Sequence, residues 1–311
     1  MEKKWLVVIN PNAGSGKGGK DWPLIHRLLE EKGLQFSYRF SEYHGHLISM
    51  IRDCIKEGYR NFIAVGGDGT INEVVNGIFT QDEAPTSDIV LGAITIGTGN
   101  DWGRMFNIPH NYTRAIDVIA NCNTLLQDAG TVEYQQGNIT NTRYFINIAG
   151  LGFDALVAKK TNILKQKGRG NALSYLITLA QGLFRYRHNK SQISVDNARH
   201  TINIDLFSMN VGICQYNGGG MKQVPNAIPD DGLFDLTIIS KMKKISVIMH
   251  LRKLYKGTHL KLPFVSTMRA SSVSIDSPSR IWLEADGESL GHTPMKFEII
   301  PRSIRVIIGN H

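Results

Sequence analysis

Along the first 130 residues, short apolar runs alternate with stretches whose apolar positions recur at helical spacing. Trp5-Leu6-Val7-Val8-Ile9 predicts a strand, and the pattern continues as helix about 18 to 32, strand 34 to 40, helix about 45 to 58, strand 61 to 65 and helix 70 to 79. Such alternation predicts a parallel sheet covered by helices. Near residue 130 the period changes. Ile202, Ile204 and Leu206, then Val273 and Ile275, Ile281 and Leu283, and Phe297 and Ile299 alternate with other residues, which predicts antiparallel strands.

Two of the early strands lead into glycine-rich loops that suggest chemistry. Gly66-Gly67-Asp68-Gly69-Thr70 lies between the apolar run Asn61 to Val65 and the helical stretch Ile71 to Ile78. Its glycines let backbone N–H groups converge on an anion, and the helix that follows adds its positive end. Asp68 is repulsive beside phosphates unless a cation or a donor network intervenes, which points to metal-assisted phosphoryl chemistry. A glycine turn is also an ordinary connector. However, Ile89 to Ile94 leads into a second such loop, Thr95 to Arg104, and two loops at the ends of successive strands would face one crevice. In the loop Asn10 to Lys20, Gly14, Gly16 and Gly19 fit G-x-G-x-x-G with Glu42 at a ribose-contact spacing, a pattern that glycine-rich loops also meet by chance. Gly14, Gly19 and Lys20 fit most of a Walker A loop, but Asp21 stands where that loop needs a hydroxyl.

Taken together, Asn10 to Gly16, Gly66 to Gly77 and Gly97 to Arg104 resemble the diacylglycerol kinase catalytic domain. The likeness continues in Gly150-Leu151-Gly152-Phe153-Asp154, in Pro225 to Leu233 and in Asp286-Gly287-Glu288, so it covers essentially the whole chain. Order and spacing are similar to the soluble bacterial lipid kinases, which are related to eukaryotic diacylglycerol, sphingosine and ceramide kinases. NAD kinases and phosphofructokinases have loops like Gly66 to Thr70, and the later motifs separate this chain from them.

The resemblance implies a Rossmann-like α/β domain of the NAD kinase and phosphofructokinase type over 1–130, binding the nucleotide. A segment about 296–311 returns to it, and a mainly antiparallel β-sandwich domain for the lipid substrate fills 131–295. It implies transfer of the γ-phosphate of ATP, with Mg2+, to a lipid hydroxyl. Diacylglycerol giving phosphatidic acid is the first expectation, with phosphatidylglycerol, sphingosine or ceramide as alternatives. ATP contacts carry over to Asn10, Pro11, Asn12, Ala13 and Gly14, to Gly66, Gly67, Asp68, Gly69, Thr70, Asn72 and Glu73, and to Thr98, Asn100 and Asp101. Ser41 also carries over, in less distinctive surroundings.

In Asp286-Gly287-Glu288 a glycine between two carboxylates permits a sharp turn that presents both, although an acidic hairpin turn has the same composition. The resemblance makes Glu288 the proton acceptor and Asp286 its assistant, with Asp68 the third catalytic residue, beside magnesium and the phosphates. It also implies a structural magnesium at the turn Asp230-Asp231-Gly232, held by the Asp231 side chain and the carbonyls of Ile228 and Leu233. A plain Asp-Gly turn is the alternative there, and Pro229 departs from the more usual residue.

The chain has 311 residues, 42% hydrophobic and 20% charged, and a net charge of +8, which favours an anionic partner. No nucleic-acid-binding module is legible. Lys159, Lys160, Lys165, Lys167, Arg169, Arg185, Arg187 and Lys190 flank the apolar run Ala172 to Ala180, a basic rim suited either to anionic headgroups or to solvated helix ends. A second basic stretch, Lys241 to Lys256, is open to the same two readings, and the spacing of Ile245, Ile248, Leu251, Leu254 and Tyr255 favours a helix facing the core. No leader and no bilayer-length apolar run is visible, so a cytoplasmic enzyme that meets the membrane peripherally during turnover is expected. A homodimer stays open. Cys54, Cys122 and Cys214 are too dispersed for a zinc cluster or disulfide framework, and His44 and His46 form no ligand set. An NAD kinase would need no membrane-facing helix. A non-catalytic lipid-binding relative would be expected to lack a phosphate loop or the acidic pair, and all are present.

Overall fold

The computed structural model describes residues 4–97, 99–166, 182–183 and 186–310, with the backbone alone for 161–166. The chain forms two compact units, Met1–Ala129 with Pro301–His311, and Gly130–Ile300.

In the first unit four strands, β1 (Trp5–Ile9), β2 (Phe36–Phe40), β3 (Asn61–Gly66) and β4 (Val90–Thr95), lie parallel in the order β2-β1-β3-β4. The end of the closing strand adds beside β4, with Arg305 and Val306 opposite Val90 and Leu91. β1 is buried at every position and β3 at every position but its first, as expected of strands covered on both faces. β2, at the edge, is partly exposed. Helices α1 (Ala13–Glu31), α2 (His46–Lys56), α3 (Asp68–Phe79), α4 (Asp101–Met105) and α5 (Tyr112–Asn121) connect the strands. Trp22, Ile25 and Leu29 of α1 and Ile116 and Ile119 of α5 pack on Trp5, Val7, Ile9, Ile63, Val65 and Ile94 of the sheet. Gly14, Ser15 and Gly16 have positive φ, so regular helix in α1 begins after residue 16, close to the expected start. From β1 the chain crosses to β2 on one side, while β3 and β4 lie on the other. The carboxyl ends of β1 and β3 therefore flank a topological switch point, where α/β sheets hold ligands.

In the second unit the strand pairings whose register is described are antiparallel. It comprises the later part of β5 (Thr124–Gln136), β6 (Ile139–Phe145), β7 (Ile148–Gly152), β8 (Asn189–Val195), β9 (His200–Gly212), β10 (Phe234–Ser240), β11 (Val265–Ala270), β12 (Ser272–Asp276), β13 (Trp282–Ala285) and the first part of β14 (Glu288–Ile307). Pairings run from β7 through β9, β8, β12, β14 and β13 back to β7. Phe145, Phe234 and Phe297 meet in its core, with ring centroids 5.8 and 6.1 Å from that of Phe145. Of the positions in the period-two pattern, Leu206, Val273, Ile275, Ile281, Leu283 and Phe297 are buried, while Ile202, Ile204 and Ile299 are half-buried. Among the described residues the unit also carries the helices α6 (Phe153–Gln166) and α7 (Lys244–Lys256).

The expectation that the helix in Lys241 to Lys256 faces the core is overturned. No residue of α7 is buried, and Ile245, Ile248 and Tyr255 are exposed. Helical spacing reports which positions share a face, and it is silent on whether anything covers that face. The run Ala172 to Ala180, with Lys167, Arg169 and Arg185, lies outside the described residues, as does the side chain of Lys165.

Candidate active site

In the first unit, three loops meet at the carboxyl ends of β1, β3 and β4. Asn10 Nδ2 donates to Thr70 Oγ1 at 3.1 Å, and Asn10 N donates to Val65 O at 3.1 Å, so the loop after β1 is tied to the loop after β3. Asn10 Oδ1 in turn accepts from Asn12 N at 3.0 Å, which shapes Pro11 to Gly14. Ile96 N donates to Gly66 O at 2.7 Å and joins the third loop to the second. Asp68 strengthens that junction, because its two carboxylate oxygens accept from Asp101 N at 3.3 Å and Trp102 N at 3.2 Å at the start of α4. A carboxylate at a helix N-terminus satisfies orphan amides and favours the dipole.

Gly66 is required by close approach. A Cβ there would lie 2.3 Å from Thr70 Oγ1 and 2.6 Å from Thr70 Cβ. Gly66→Ala is expected to push Thr70 off Asn10 and to destabilise the fold by about 1–3 kcal/mol or more, as overpacking does. The denaturant midpoint measures it. A wild-type midpoint would show that Thr70 has room to move.

The remaining expected residues fall in two groups. Asn100 is 2% exposed and Asp101 4%. Asn100 Nδ2 donates to Gly97 O at 3.2 Å and lies 3.1 Å from His110 Nδ1, while its Oδ1 and the nearby Thr95 Oγ1 are buried without a hydrogen-bond partner. Ser41 follows β2 and is fixed by its amide on Ile9 O at 2.8 Å. Thr98 lies outside the described residues. Asn72 and Glu73, by contrast, are buried in α3 and turned to other work. Glu73 accepts from Gly45 N at 2.8 Å and Leu47 N at 3.3 Å and pairs with His44 Nδ1 at 3.1 Å, so its carboxylate caps α2. Asn72 Oδ1 accepts from Asn76 Nδ2 at 3.2 Å within the helix.

In the second unit, Asp286 and Gly287 form the two-residue turn of the β13–β14 hairpin. Their φ values of +50° and +83° fit a type I′ turn, for which Asp-Gly is a preferred pair. The turn is acidic and is not simply solvated. Asp286 is 5% exposed, and its two oxygens accept from Ile146 N at 3.1 Å and Asn147 N at 3.0 Å. Glu288, opposite Ala285, is half-buried at the start of β14.

Behind the turn lies Glu284, a residue that sequence inspection passes over. Ile281, Leu283 and Ala285 alternate inward, which would leave Glu284 on the solvent side, but α6 covers that face. Lys159 Nζ of α6 sits 4.3 Å over the ring of Trp282. Glu284 accepts from Gly287 N at 2.9 Å and from Asn217 Nδ2 at 2.8 Å, so it braces the turn that carries Glu288. Burial pushes its carboxyl up to about 8, against those two bonds and helped by the nearby charges of Asp154 and Asp286. Burial likewise raises Asp154, which accepts from Ser208 at 2.6 Å and Asn210 at 3.0 Å.

Glu284 carries a pH prediction. Between its ordinary value of 4.5 and about 8, Glu284 is protonated in the folded chain and ionised in the unfolded one. The folded state therefore binds the extra proton, and stability falls as pH rises through that window. Glu284→Gln should flatten the slope by up to about 1.4 kcal/mol per pH unit. Denaturant midpoints at intervals from pH 5 to 8 check it, and an unchanged slope in the variant would contradict the assignment.

At the turn Asp230-Asp231-Gly232 the carboxylate of Asp231 is already engaged. Its Oδ2 pairs with the guanidinium of Arg269, and its Oδ1 accepts from Leu233 N at 3.1 Å. Arg269 Nε also donates to Asp235 Oδ2 at 3.2 Å on the neighbouring strand. Among the described residues no group of three His, Cys, Asp or Glu side chains is placed to hold a metal. The expected structural magnesium at Ile228, Asp231 and Leu233 does not fit this arrangement, because the guanidinium already neutralises the one charged ligand.

A switch point of the nucleotide-binding type in the first unit and a braced acidic turn in the second are features of a phosphotransferase, and the family match makes the class the ATP-dependent lipid kinases. Comparison with known proteins narrows it. Residues 4–132 match the diacylglycerol kinase catalytic domain, and residues 147–308 match the YegS C-terminal NAD kinase beta sandwich-like domain. The chain is 33% identical over 308 residues to a diacylglycerol kinase of Staphylococcus haemolyticus (strain JCSC1435), covering 98% of this chain and 88% of that one. It is 31% identical over 308 residues to a diacylglycerol kinase of Staphylococcus carnosus (strain TM300), covering 98% and 95%. A crystal structure of a diacylglycerol kinase from Bacillus anthracis str. Sterne shares the fold, with TM-score 0.73 at 20% identity over 99% of this chain and 97% of that one. The chain belongs to the diacylglycerol kinase family.

Proposed function

We propose that the protein transfers the γ-phosphoryl group of magnesium-bound ATP to the hydroxyl of diacylglycerol, forming phosphatidic acid and ADP. Support comes first from the convergence of loops 10–14, 66–70 and 95–101 at the switch point of the first unit. Phosphoryl transfer asks for positioned donors and charge neutralisation more than for covalent chemistry. Asn10 to Gly14 and Gly66 to Thr70 present backbone amides to the phosphates, with Ser41, Thr98, Asn100 and Asp101 completing the nucleotide site. Asp68 organises it by holding the second and third loops together. Asn72 and Glu73 act through the packing of α3 and α2. Magnesium arrives with the nucleotide, as part of the substrate.

Glu288 takes the proton of the acceptor hydroxyl while its oxygen bonds to the γ-phosphorus and the bond to ADP breaks. Asp286 is the weaker candidate for that task, since both its oxygens already accept backbone amides. Its role is to hold the turn. In this reading the enzyme works on the cytoplasmic side, where ATP is supplied, and visits the membrane from solution. No helix among the described residues is long and apolar enough to cross a bilayer. No step needs a second copy of the chain.

Transfer of labelled phosphate from ATP to a panel of diacylglycerol, phosphatidylglycerol, sphingosine, ceramide and NAD tests the proposal. Diacylglycerol is expected to be labelled fastest. Preference for another lipid would reassign the acceptor, and labelling of NAD alone would overturn the lipid reading.

A further inference from the structure

The exposed face of α7 has a composition that calls for a partner. The helix rests on its own unit through Val247, which packs on the cluster of Phe153, Val157, Leu183 and Phe207. Leu254 O accepts from Lys222 N at 3.1 Å, and the His250 ring meets Phe264 at 5.8 Å. These contacts fix which side faces outward. On that side Ile245 is 58% exposed, Ile248 50%, Met249 70% and Tyr255 47%, with the exposed Arg252 between them. Positions 245, 248, 249, 252 and 255 are spaced i, i+3, i+4, i+7 and i+10, so they form one continuous stripe. Large apolar side chains scattered singly on a surface need no explanation, but a stripe of them along one helix does.

Charge around the stripe has a single sign. Lys241, Lys243, Lys244, Arg252, Lys253 and Lys256 flank it, and no Asp or Glu occurs anywhere between Asp235 and Asp276. Tyr255 adds an amphipathic ring of the kind that sits at a headgroup boundary. A second copy of the chain fits poorly, because a two-fold contact through α7 would set these cations against themselves. A nucleic acid would use the charges and leave the apolar stripe in water. An anionic bilayer uses both, since an interfacial helix buries its apolar face at the headgroup and acyl boundary while basic residues meet the headgroups.

We infer that α7 is the membrane-docking element of this protein, with Ile245, Ile248 and Met249 inserting into an anionic phospholipid surface and the flanking lysines and Arg252 facing its headgroups. The inference extends the reading of the protein as a kinase of membrane lipids. It does not depend on which lipid is the acceptor.

The full chain is tested by co-sedimentation with vesicles of phosphatidylcholine alone or mixed with phosphatidylglycerol. Wild-type protein is expected to bind the anionic vesicles in a salt-sensitive way. Ile248→Glu/Met249→Glu and, separately, Lys253→Gln/Lys256→Gln should each weaken that binding by about tenfold or more. Thermal midpoints should stay at the wild-type value, since none of these side chains is buried. Rates on a short-chain diacylglycerol dissolved as monomers should be unchanged, while rates on diacylglycerol presented in vesicles should fall with the binding. Absence of phosphorylation with vesicle binding intact would count against the proposed acceptor and leave the docking role standing. Wild-type vesicle affinity in both variants would overturn the inference. So would loss of self-association, rather than of vesicle binding, in the Ile248/Met249 variant.

Discussion

Asp68→Ala is expected to cut phosphoryl transfer by at least about 10²-fold with the fold retained. The carboxylate accepts the amides of Asp101 and Trp102, which start a helix of only five residues. Without it those amides lose their acceptor, and the loops after β3 and β4 lose one of the bonds that join them. Displacement of a positioning group by about 1 Å can cost about 10²-fold, and loss of oriented donors around a transferring group adds a similar amount. The second-order constant for ATP should therefore fall by at least about 10²-fold. Stability should fall by only about 0.5–2 kcal/mol, the usual effect of losing a helix cap. Asp68→Asn keeps one acceptor oxygen, so it should recover part of the stability and little of the turnover. Steady-state kinetics with varied ATP and a thermal melt measure the two effects. Near-wild-type kinetics in the alanine variant would remove Asp68 from the site.

Glu288→Gln should keep ATP affinity and lose turnover. The amide is nearly isosteric, and the turn that carries it is held by Asp286 and Glu284, neither of which is altered. Removing a general base typically costs about 10²- to 10⁴-fold, and the loss should appear in kcat rather than in nucleotide binding. Asp286→Asn is expected to behave differently. One of its two amide contacts would face an NH2 group instead of an oxygen, so the turn should shift and stability should fall alongside kcat. Calorimetry with ATP, kcat at saturating lipid and thermal midpoints separate the cases. A stable Asp286→Asn protein with the larger kcat loss would transfer the base role to Asp286, and normal kcat in both variants would sink the acidic-turn mechanism.

Much of this protein was legible in local signals. Continuous apolar runs at β1 and β3 and period-two runs at β9, β12 and β13 predicted the two kinds of sheet, because burial on two faces and burial on one leave different patterns in a strand. Glycines at the ends of β1, β3 and β4 marked the loops, since close backbone packing excludes a Cβ, as Gly66 against Thr70 shows. The order of these loops and of the later acidic motifs was sufficient for the family. Tertiary structure decided what the polar side chains do there. Asp68 caps α4, Glu73 caps α2, and Asp286 is spent on amides 139 and 140 residues away, while Arg269 reaches back 38 residues to Asp231. None of these partners is marked in the sequence, because a carboxylate reads the same whether it will meet an amide, a guanidinium or a substrate. The exposed stripe of α7 belongs with them: helical period defines an apolar face, and only packing against the rest of the unit decides which face is left for a partner.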